Sequence, residues 1–324
     1  MNLAAKADKI TVVGAGTIGP EVAYGLMLKE LASEIILVNR DEAKGKAKAS
    51  DLSHCGPVTG GTRVSYGDYS TSSGSEIVVV TAGVLADKHG TRMDVLKSNI
   101  AMYKKIIPEI AGYSPDAIMI IVTNPLDAMT YAAYKLSGFP ASRVIGSGTL
   151  LDTMRFRQII GSRFGIDSSH IEALVVGEHG ESMVPIWSSA KVDGMPLQDY
   201  LRQRGMELAP GIKAEINRET ERAGWNIRLG NVHTCYGIAL SAIKIIEGIL
   251  GFSEEAVPVS TLLSREYGTG DIFASVPVKL GRKGIKAIET IDMSSDEKKL
   301  LAESCGILEG YMREAGNIIK QENL

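Results

Sequence analysis

Short apolar runs alternate with longer polar and apolar stretches through the first half of the chain. Residues 9–13, 35–38, 76–81 and 118–122 are apolar enough to form buried strands. Residues 20–28, 41–53 and 93–113 are predicted to be helices, and a further helix is predicted to run from about 150 to 161. Because strands that alternate with helices pair in parallel and are covered on both faces, we predict a doubly wound α/β sheet.

The second half has a different pattern. Apolar runs predict strands at 171–176, 185–187, 191–192, 256–263, 272–280 and 284–289, and long helices at 210–229 and 232–250. Ser294 and Glu297 form the signature of a capping box, so we predict that the last helix begins there and reaches about residue 320. A chain of 324 residues exceeds the usual size of a single core. We therefore predict two domains, 1–148 and an α+β domain at 149–324.

Composition excludes several classes of protein. The net charge of −3 favours neither nucleic acid nor a membrane surface as a partner. Apolar runs stay short of the roughly 18 residues that span a bilayer, and the N-terminus lacks the apolar core of a signal peptide, so we expect a cytoplasmic protein. The cysteines form no CxxC pair and the histidines lack i, i+4 spacing, so we expect no metal site.

A glycine motif lies between the first predicted strand and the first predicted helix. It comprises Gly14, Ala15, Gly16, Thr17, Ile18 and Gly19. Glycines at these positions allow a tight turn, the approach of a pyrophosphate and close packing of the helix on the strand. We therefore predict a Rossmann-type dinucleotide site. Its other contacts are expected where later strands end, at Ala82, Gly83, Val122 and Asn124, because ligands collect at the C-terminal ends of parallel strands.

The residue that ends the second predicted strand bears on the choice of dinucleotide. Asn39 lies twenty residues after Gly19, where an acidic residue usually binds the ribose hydroxyls. Asparagine can bond a hydroxyl but does not repel a 2′-phosphate, and Arg40 beside it could pair with one. Both NAD and NADP are therefore open.

A lone histidine marks the candidate chemistry. His179 lies between Gly177 and Gly180 after an apolar run, and its ordinary pKa near neutrality suits proton transfer. Asp152 and Arg155 are three residues apart and share a helix face. This spacing fits an intrahelical ion pair, or a carboxylate facing His179 beside a guanidinium that grips a substrate carboxylate. Arg92 follows a polar segment that we expect to form a loop closing over bound substrate.

These residues resemble the L-lactate and malate dehydrogenase family, and the related L-2-hydroxyisocaproate dehydrogenases, over essentially the whole chain. The resemblance is carried by GAGTIG at 14–19, Thr91-Arg92, VTNPLD at 122–127, GSGTLLDTMR at 146–155, GEHG at 177–180 and Thr234 in HTCYGIALS. It implies that His179 donates the proton in carbonyl reduction and accepts it in alcohol oxidation. It further implies that Asp152 orients the imidazole of His179 and that Arg155 holds the substrate carboxylate. It also implies that Arg92 polarises the carbonyl, that Asn124 and Thr234 line the pocket, and that Ile238 lies against the nicotinamide. A homo-oligomer, dimer or tetramer, is implied as well.

One position departs from the family pattern and bears on the substrate. Six residues before Arg92 stands Ala86, where the resemblance implies glutamine in lactate enzymes and arginine in malate enzymes. Alanine offers no charge to a second carboxylate, so we expect a 2-keto acid with an uncharged side chain, pyruvate or a bulkier one. A shift of one or two residues would bring Lys88 inward and restore malate chemistry.

Two other classes of protein compete with this reading. A glycosidase that uses NAD would need cysteine and histidine metal ligands that this chain does not assemble. A catalytically silent dinucleotide sensor would not need Asp152, Arg155 and His179 together.

Overall fold

A large sheet organises the first half of the protein. The computed structural model describes residues 4–84, 91–230 and 232–321. The strands are β1 Ala7–Val13, β2 Ala32–Val38, β3 Arg63–Gly67, β4 Ile77–Val80, β5 Ile118–Ile121 and β6 Val144–Gly146. They are parallel and lie in the order β3-β2-β1-β4-β5-β6. Because the order reverses between β1 and β4, the crevice of a doubly wound sheet opens there.

Helices connect these strands. They are α1 Ile18–Leu28, α2 Glu42–Ser53, α3 Arg92–Tyr113, α4 Leu126–Ser137 and α5 Leu150–Phe164. The start of α3 is fixed by a capping box in which Thr91 and Asp94 bond each other's backbone amides. Separate apolar clusters fill the two sides of the sheet: Ile10 and Val12 belong to one, Val78 and Val80 to the other. The predicted doubly wound α/β fold is confirmed.

The second half adds a small sheet and extends the large one. Strands β7 Ile171–Val176, β8 Val184–Val192 and β9 Met195–Pro196 form an antiparallel sheet of three strands. Strands β10 Val257–Leu263, β11 Ile272–Gly281 and β12 Gly284–Ile288 continue the large sheet beyond β6 in antiparallel order. The prediction placed these last strands in sequence but did not foresee that they join the first sheet.

The remaining helices are α6 Leu197–Gln203, α7 Pro210–Leu229, α8 Tyr236–Leu250 and α9 Ser295–Lys320. The predicted capping box of Ser294 and Glu297 is present at the start of α9. Within the described ranges, no helix has the length and apolarity required to cross a membrane. The described residues also contain no group of three or more histidine, cysteine, aspartate or glutamate side chains placed to hold a metal ion.

Three predicted boundaries were wrong. The strands expected at 185–187 and 191–192 form one strand, β8, whose polar middle at Ser188 stays exposed. The backbone amides of Trp187 and Ser188 donate to Glu297 there, so the chain remains extended between the two apolar ends. Helix α8 begins at Tyr236, four residues after the predicted start at 232. Helix α5 continues beyond Gly161 to Phe164, since the left-handed residue that ends it is Gly165.

Candidate active site

The imidazole of His179 and the carboxylate of Asp152 meet where β7 ends against the start of α5. Gly177 pairs through its backbone with Ser275 of β11, at 2.8 and 2.9 Å, and directs the chain out of β7. Gly177 has a φ of +87°, which favours glycine. Beyond this turn, Nδ1 of His179 lies 2.5 Å from Oδ2 of Asp152, which is fully buried in the first turn of α5.

Burial and charge act in opposite directions on this pair. Burial lowers the pKa of His179, but the charge and hydrogen bond of Asp152 outweigh it, and the net pKa is raised. Burial raises the pKa of Asp152, but His179 and Arg155 together hold it below its usual value. The pair therefore favours a charged imidazole beside a charged carboxylate, the state that donates a proton from Nε2.

Arg155 completes the group on the other side of the same carboxylate. Its Nη1 donates to Oδ1 of Asp152 at 3.0 Å, so Asp152 bonds His179 with one oxygen and Arg155 with the other. Helix α7 passes over the guanidinium at Gly224, where a Cβ would lie 3.2 Å from Nη2. The structure contains both the intrahelical ion pair and the expected contact of Asp152 with His179, whereas the grip of Arg155 on a substrate carboxylate stays a prediction.

The glycine motif fits a dinucleotide. A Cβ at Gly14 would lie 2.7 Å from Oγ1 of Thr81, and one at Gly19 would lie 1.9 Å from the carbonyl oxygen of Gly14. Gly16 is exposed, and a Cβ there would meet no atom within 4 Å. Two glycines are thus needed for the turn itself, whereas Gly16 leaves open space beside the N-terminus of α1, where Thr17 and Ile18 begin the helix.

Asn39 bonds the glycine turn directly. Its Oδ1 accepts the backbone N–H of Ala15 at 3.0 Å, and its Nδ2 donates to the carbonyl oxygen of Asp41 at 2.8 Å. Arg40 is exposed at the same strand end. Asn39, which we expect to bind the ribose, therefore also stabilises the glycine turn beside which we expect the pyrophosphate.

The other predicted contacts surround the ends of β4, β5 and α8. Asn124 is exposed just beyond the buried Val122. Thr123 donates to the carbonyl oxygen of Ala82 at 2.7 Å and lies against Gly83. These contacts link the segment after β5 to the segment after β4. The start of α8 packs on the start of α5, where a Cβ at Gly237 would lie 2.7 Å from Leu151.

Around that contact, Thr234 is half-buried and Ile238 is buried. Ala86 and Lys88 lie outside the described residues. Their expected roles in substrate selection therefore stay predictions.

Comparison with known proteins agrees with this arrangement. Residues 8–146 match the lactate/malate dehydrogenase NAD binding domain, and residues 149–318 match the lactate/malate dehydrogenase alpha/beta C-terminal domain. The chain belongs to the lactate/malate dehydrogenase family. As a member of it, the chain is an oxidoreductase of the L-2-hydroxy acid dehydrogenase class, and the match supports a nicotinamide cofactor. The predicted boundary between residues 148 and 149 stays a prediction.

Individual relatives resemble the chain along nearly its full length. An L-lactate dehydrogenase of Clostridium botulinum (strain Okra / Type B1) is 37% identical over 310 residues, covering 96% of this chain and 98% of the relative. One from Clostridium perfringens (strain SM101 / Type A) is 35% identical over 307 residues, covering 95% and 97%. The crystal structure of the minor L-lactate dehydrogenase from Enterococcus mundtii, in the ligands-bound form, has a TM-score of 0.90 at 31% identity and covers 95% of this chain and 98% of that one.

Arg92, the predicted carbonyl-polarising residue of this dehydrogenase, is bound by groups that the sequence did not single out. Its Nη2 donates to Oε1 of Glu178 at 2.5 Å, and its guanidinium lies 4.6 Å from the ring centre of Tyr311. Glu178 is buried and also accepts the hydroxyl of Ser182 at 2.6 Å. Because Glu178 directly precedes His179, Arg92 is anchored to the same turn as the imidazole.

Asp127 is a second residue that the sequence reading left without a role. It lies in the first turn of α4, and its Oδ2 accepts the backbone N–H of His179 at 3.0 Å. In the sequence, the aspartate of VTNPLD and the glutamate of GEHG stand out only as parts of motifs. Asp127 contacts His179 and Glu178 contacts Arg92 only in the folded protein, because the partners are far apart along the chain.

Proposed function

We propose that this chain interconverts a 2-keto acid and an L-2-hydroxy acid, with pyruvate and L-lactate as the first substrates to test. The contact that carries the proposal is the bridge of Asp152 between His179 and Arg155. A proton donor and a carboxylate-binding cation are thereby set side by side on one buried anion. Reduction of a 2-keto acid needs both groups, one at the carbonyl oxygen and one at the carboxylate.

Each residue has a distinct part in the proposed reaction. Arg155 grips the substrate carboxylate through two parallel hydrogen bonds and so orients the carbonyl. His179 gives its Nε2 proton to the carbonyl oxygen during reduction and takes it back during oxidation, while Asp152 stabilises the imidazolium. Arg92 leaves Glu178 to meet the charge that develops on the oxygen. A bound nicotinamide supplies or accepts the hydride at the carbonyl carbon.

Further residues shape the two sites. We assign the approach of the pyrophosphate to Gly16, in the turn that Gly14 and Gly19 make possible. We assign the remaining cofactor contacts to Thr17, Ile18, Ala82, Gly83, Val122, Asn124 and Ile238. Asn124 and Thr234 line the substrate pocket.

The side-chain preference follows from Ala86, which brings no charge to the substrate. Rates with pyruvate, 2-ketoisocaproate and oxaloacetate at equal concentration test it. We expect either uncharged keto acid to exceed oxaloacetate, and a lead for oxaloacetate would contradict the proposal. His179→Gln should abolish turnover of all three acids, with the wild type as its control.

Asn39 and Arg40 are proposed to admit NADP as well as NAD. The exposed guanidinium of Arg40 can pair with a 2′-phosphate, and Asn39 brings no repelling charge to it. Apparent affinities for NADH and NADPH, compared between wild type and Arg40→Ala, test this. We expect the variant to lose affinity for NADPH about two- to fivefold while NADH binding is unchanged. An equal loss of affinity for NADH and NADPH, or no loss for either, would show that Arg40 takes no part in the choice between the two cofactors.

We also propose that the chain works as a homo-oligomer. Large apolar side chains are exposed near the end of α7 and on α8, at Trp225, Leu229, Tyr236 and Leu240. Light scattering coupled to gel filtration distinguishes a monomer, which would contradict the proposal, from a dimer or tetramer.

A further inference from the structure

Arg92 is bound by side chains from two different parts of the fold. Its Nη2 donates to Oε1 of Glu178 at 2.5 Å, and its Nη1 donates to the hydroxyl of Tyr311 at 3.3 Å. The guanidinium carbon also lies 4.6 Å from the centre of the Tyr311 ring, a distance at which a cation is attracted to an aromatic face. One guanidinium therefore has an ionic, a polar and an aromatic contact.

The carboxylate of Glu178 is buried, and its two oxygens have different partners. Oε2 accepts the backbone N–H of Ser182 at 3.2 Å and its hydroxyl at 2.6 Å. For Oε1, the only donor within residues 4–84, 91–230 and 232–321 is Arg92. A buried carboxylate oxygen without a partner is costly, so Glu178 binds Arg92 more firmly than an exposed acid would.

The turn around His179 fixes the position of this carboxylate. A Cβ at Gly180 would lie 2.5 Å from Oε1 of Glu178, so the glycine leaves the space that the acid occupies as it folds back across the turn. The backbone N–H of Glu178 donates to Oγ of Ser304 at 2.9 Å, and the hydroxyls of Ser304 and Ser182 bond each other at 3.0 Å. The backbone and the side chain of Glu178 are thus both fixed independently of Arg92.

Helix α9 contributes to both contacts. Ser304 and Tyr311 are seven residues apart, which is about two helical turns, so they lie on one face of α9. Ser304 bonds the main chain of Glu178, whereas Tyr311 bonds the guanidinium of Arg92. This face of α9 therefore places the acid and the aromatic ring around the same cation.

Arg92 is the partner that can move. Its side chain is 39% exposed, while that of Glu178 is 2% exposed. The acid is surrounded by fixed donors, whereas the guanidinium can exchange one partner for another. When it does so, Oε2 of Glu178 keeps its bonds to Ser182, and Oε1 loses the guanidinium.

We propose that Glu178 and Tyr311 are positioning residues that together form a resting site for the guanidinium of Arg92. The catalytic consequence rests on the proposed function, in which Arg92 meets the charge that develops on the carbonyl oxygen. The keto acid then competes with the resting site for the same guanidinium. Only a ligand that offers Arg92 a negative charge compensates for the loss at Oε1. The resting site thus keeps Arg92 in a defined place in the free enzyme and lowers the efficiency of reduction.

Substitutions of Tyr311 weaken the resting site and leave the His179 turn unchanged. Tyr311→Phe removes the hydroxyl bond and keeps the ring, whereas Tyr311→Leu removes both. We expect kcat/KM for pyruvate reduction to rise about two- to fivefold in Tyr311→Leu and by less in Tyr311→Phe, with NADH affinity unchanged. Tyr113→Leu, at the exposed end of α3, is the matched control and should keep the wild-type value. A kcat/KM that falls or stays unchanged in Tyr311→Leu would overturn the proposal.

A cycle of stability measurements tests the resting site without catalysis. Arg92→Met leaves the buried charge of Glu178 unpaired, and we expect Tm to fall by about 2–4 °C. In the Glu178→Gln background the same substitution should change Tm much less, so the two losses should not add. Such non-additive losses would support the resting site even if no keto acid were turned over. Additive losses would refute it even in an active dehydrogenase.

Discussion

Replacing Asp152 with asparagine keeps the size of the side chain and removes the charge that faces His179. Burial lowers the pKa of His179, and the charge of Arg155 lowers it further, so Asp152 is the main group that raises it. Without the carboxylate the two lowering effects remain. We therefore expect the pKa of His179 to fall, and with it the pH above which keto acid reduction declines.

The size of this effect follows from the contact. Nδ1 and Oδ2 are 2.5 Å apart and the carboxylate is fully buried. A hydrogen bond between charged partners contributes about 1.5–3 kcal/mol, which corresponds to a shift of about one to two pH units. At a pH above the wild-type midpoint, the protonated fraction of His179 and the rate of reduction should then fall by about 10- to 100-fold, and the loss should shrink as the pH is lowered.

A second effect arises because asparagine has one acceptor where aspartate has two. If its oxygen accepts from Nδ1 of His179, its NH₂ group faces Nη1 of Arg155, and two donors oppose each other. The guanidinium should be displaced, and KM for the keto acid should rise as kcat falls. A rise in KM that comes from the neutral imidazole should disappear at low pH, where His179 is protonated, whereas a rise that comes from the displaced guanidinium should remain at every pH.

Initial rates of NADH oxidation, measured over about pH 5 to 9 at several pyruvate concentrations, give both quantities. Asp199→Asn, which removes an exposed carboxylate of α6 that pairs with Arg202, is the matched control and should keep the wild-type midpoint. The reasoning would be refuted if Asp152→Asn kept the wild-type midpoint, because the imidazole would then not depend on this carboxylate.

Further substitutions test single contacts. Arg155→Lys keeps the charge but loses the planar fork, so KM for pyruvate should rise about 10- to 100-fold while NADH affinity, measured by fluorescence titration, stays unchanged. Gly224→Ala places a Cβ 3.2 Å from Nη2 of Arg155 and should raise KM about 2- to 10-fold, whereas Gly211→Ala, which has open space on the same helix, is its control. Gly19→Ala should lower Tm, because its Cβ would overlap the carbonyl oxygen of Gly14, whereas Gly16→Ala should weaken NADH binding without lowering Tm. Equal behaviour within either glycine pair would count against the assigned contacts.

Local pattern predicted the parts of the fold that depend on near neighbours. The apolar runs of β1, β4 and β5 are buried on both faces, so their strand character shows in the sequence itself. The Asp152–Arg155 contact was also predictable, because helix geometry brings residues three apart together. Neither inference required knowledge of the distant chain.

Contacts between remote segments were not predictable in this way. Nothing in the pattern of 256–288 indicates that β10 pairs with β6, since an antiparallel hairpin has the same alternation in either sheet. The sequence alone suggests an ordinary role for each acid: Glu178 is a turn residue, and Asp127 is an acidic residue in the first turn of a helix. Their partners, Arg92 and the backbone of His179, are 86 and 52 residues away.

The charges around the candidate site explain why protonation and substrate binding should be linked. Among the described residues, the cations are Arg92, Arg155 and, when protonated, His179, and the anions facing them are Asp127, Asp152 and Glu178. With the imidazole neutral, these groups carry an excess of one negative charge, which opposes the carboxylate of an incoming keto acid. With the imidazole protonated, the excess disappears. Because linkage is reciprocal, a bound keto acid carboxylate in turn favours the protonated imidazole. Under the proposed function, the buried carboxylates beside His179 thus bias the site toward the protonation state that is expected to bind the keto acid and to reduce it.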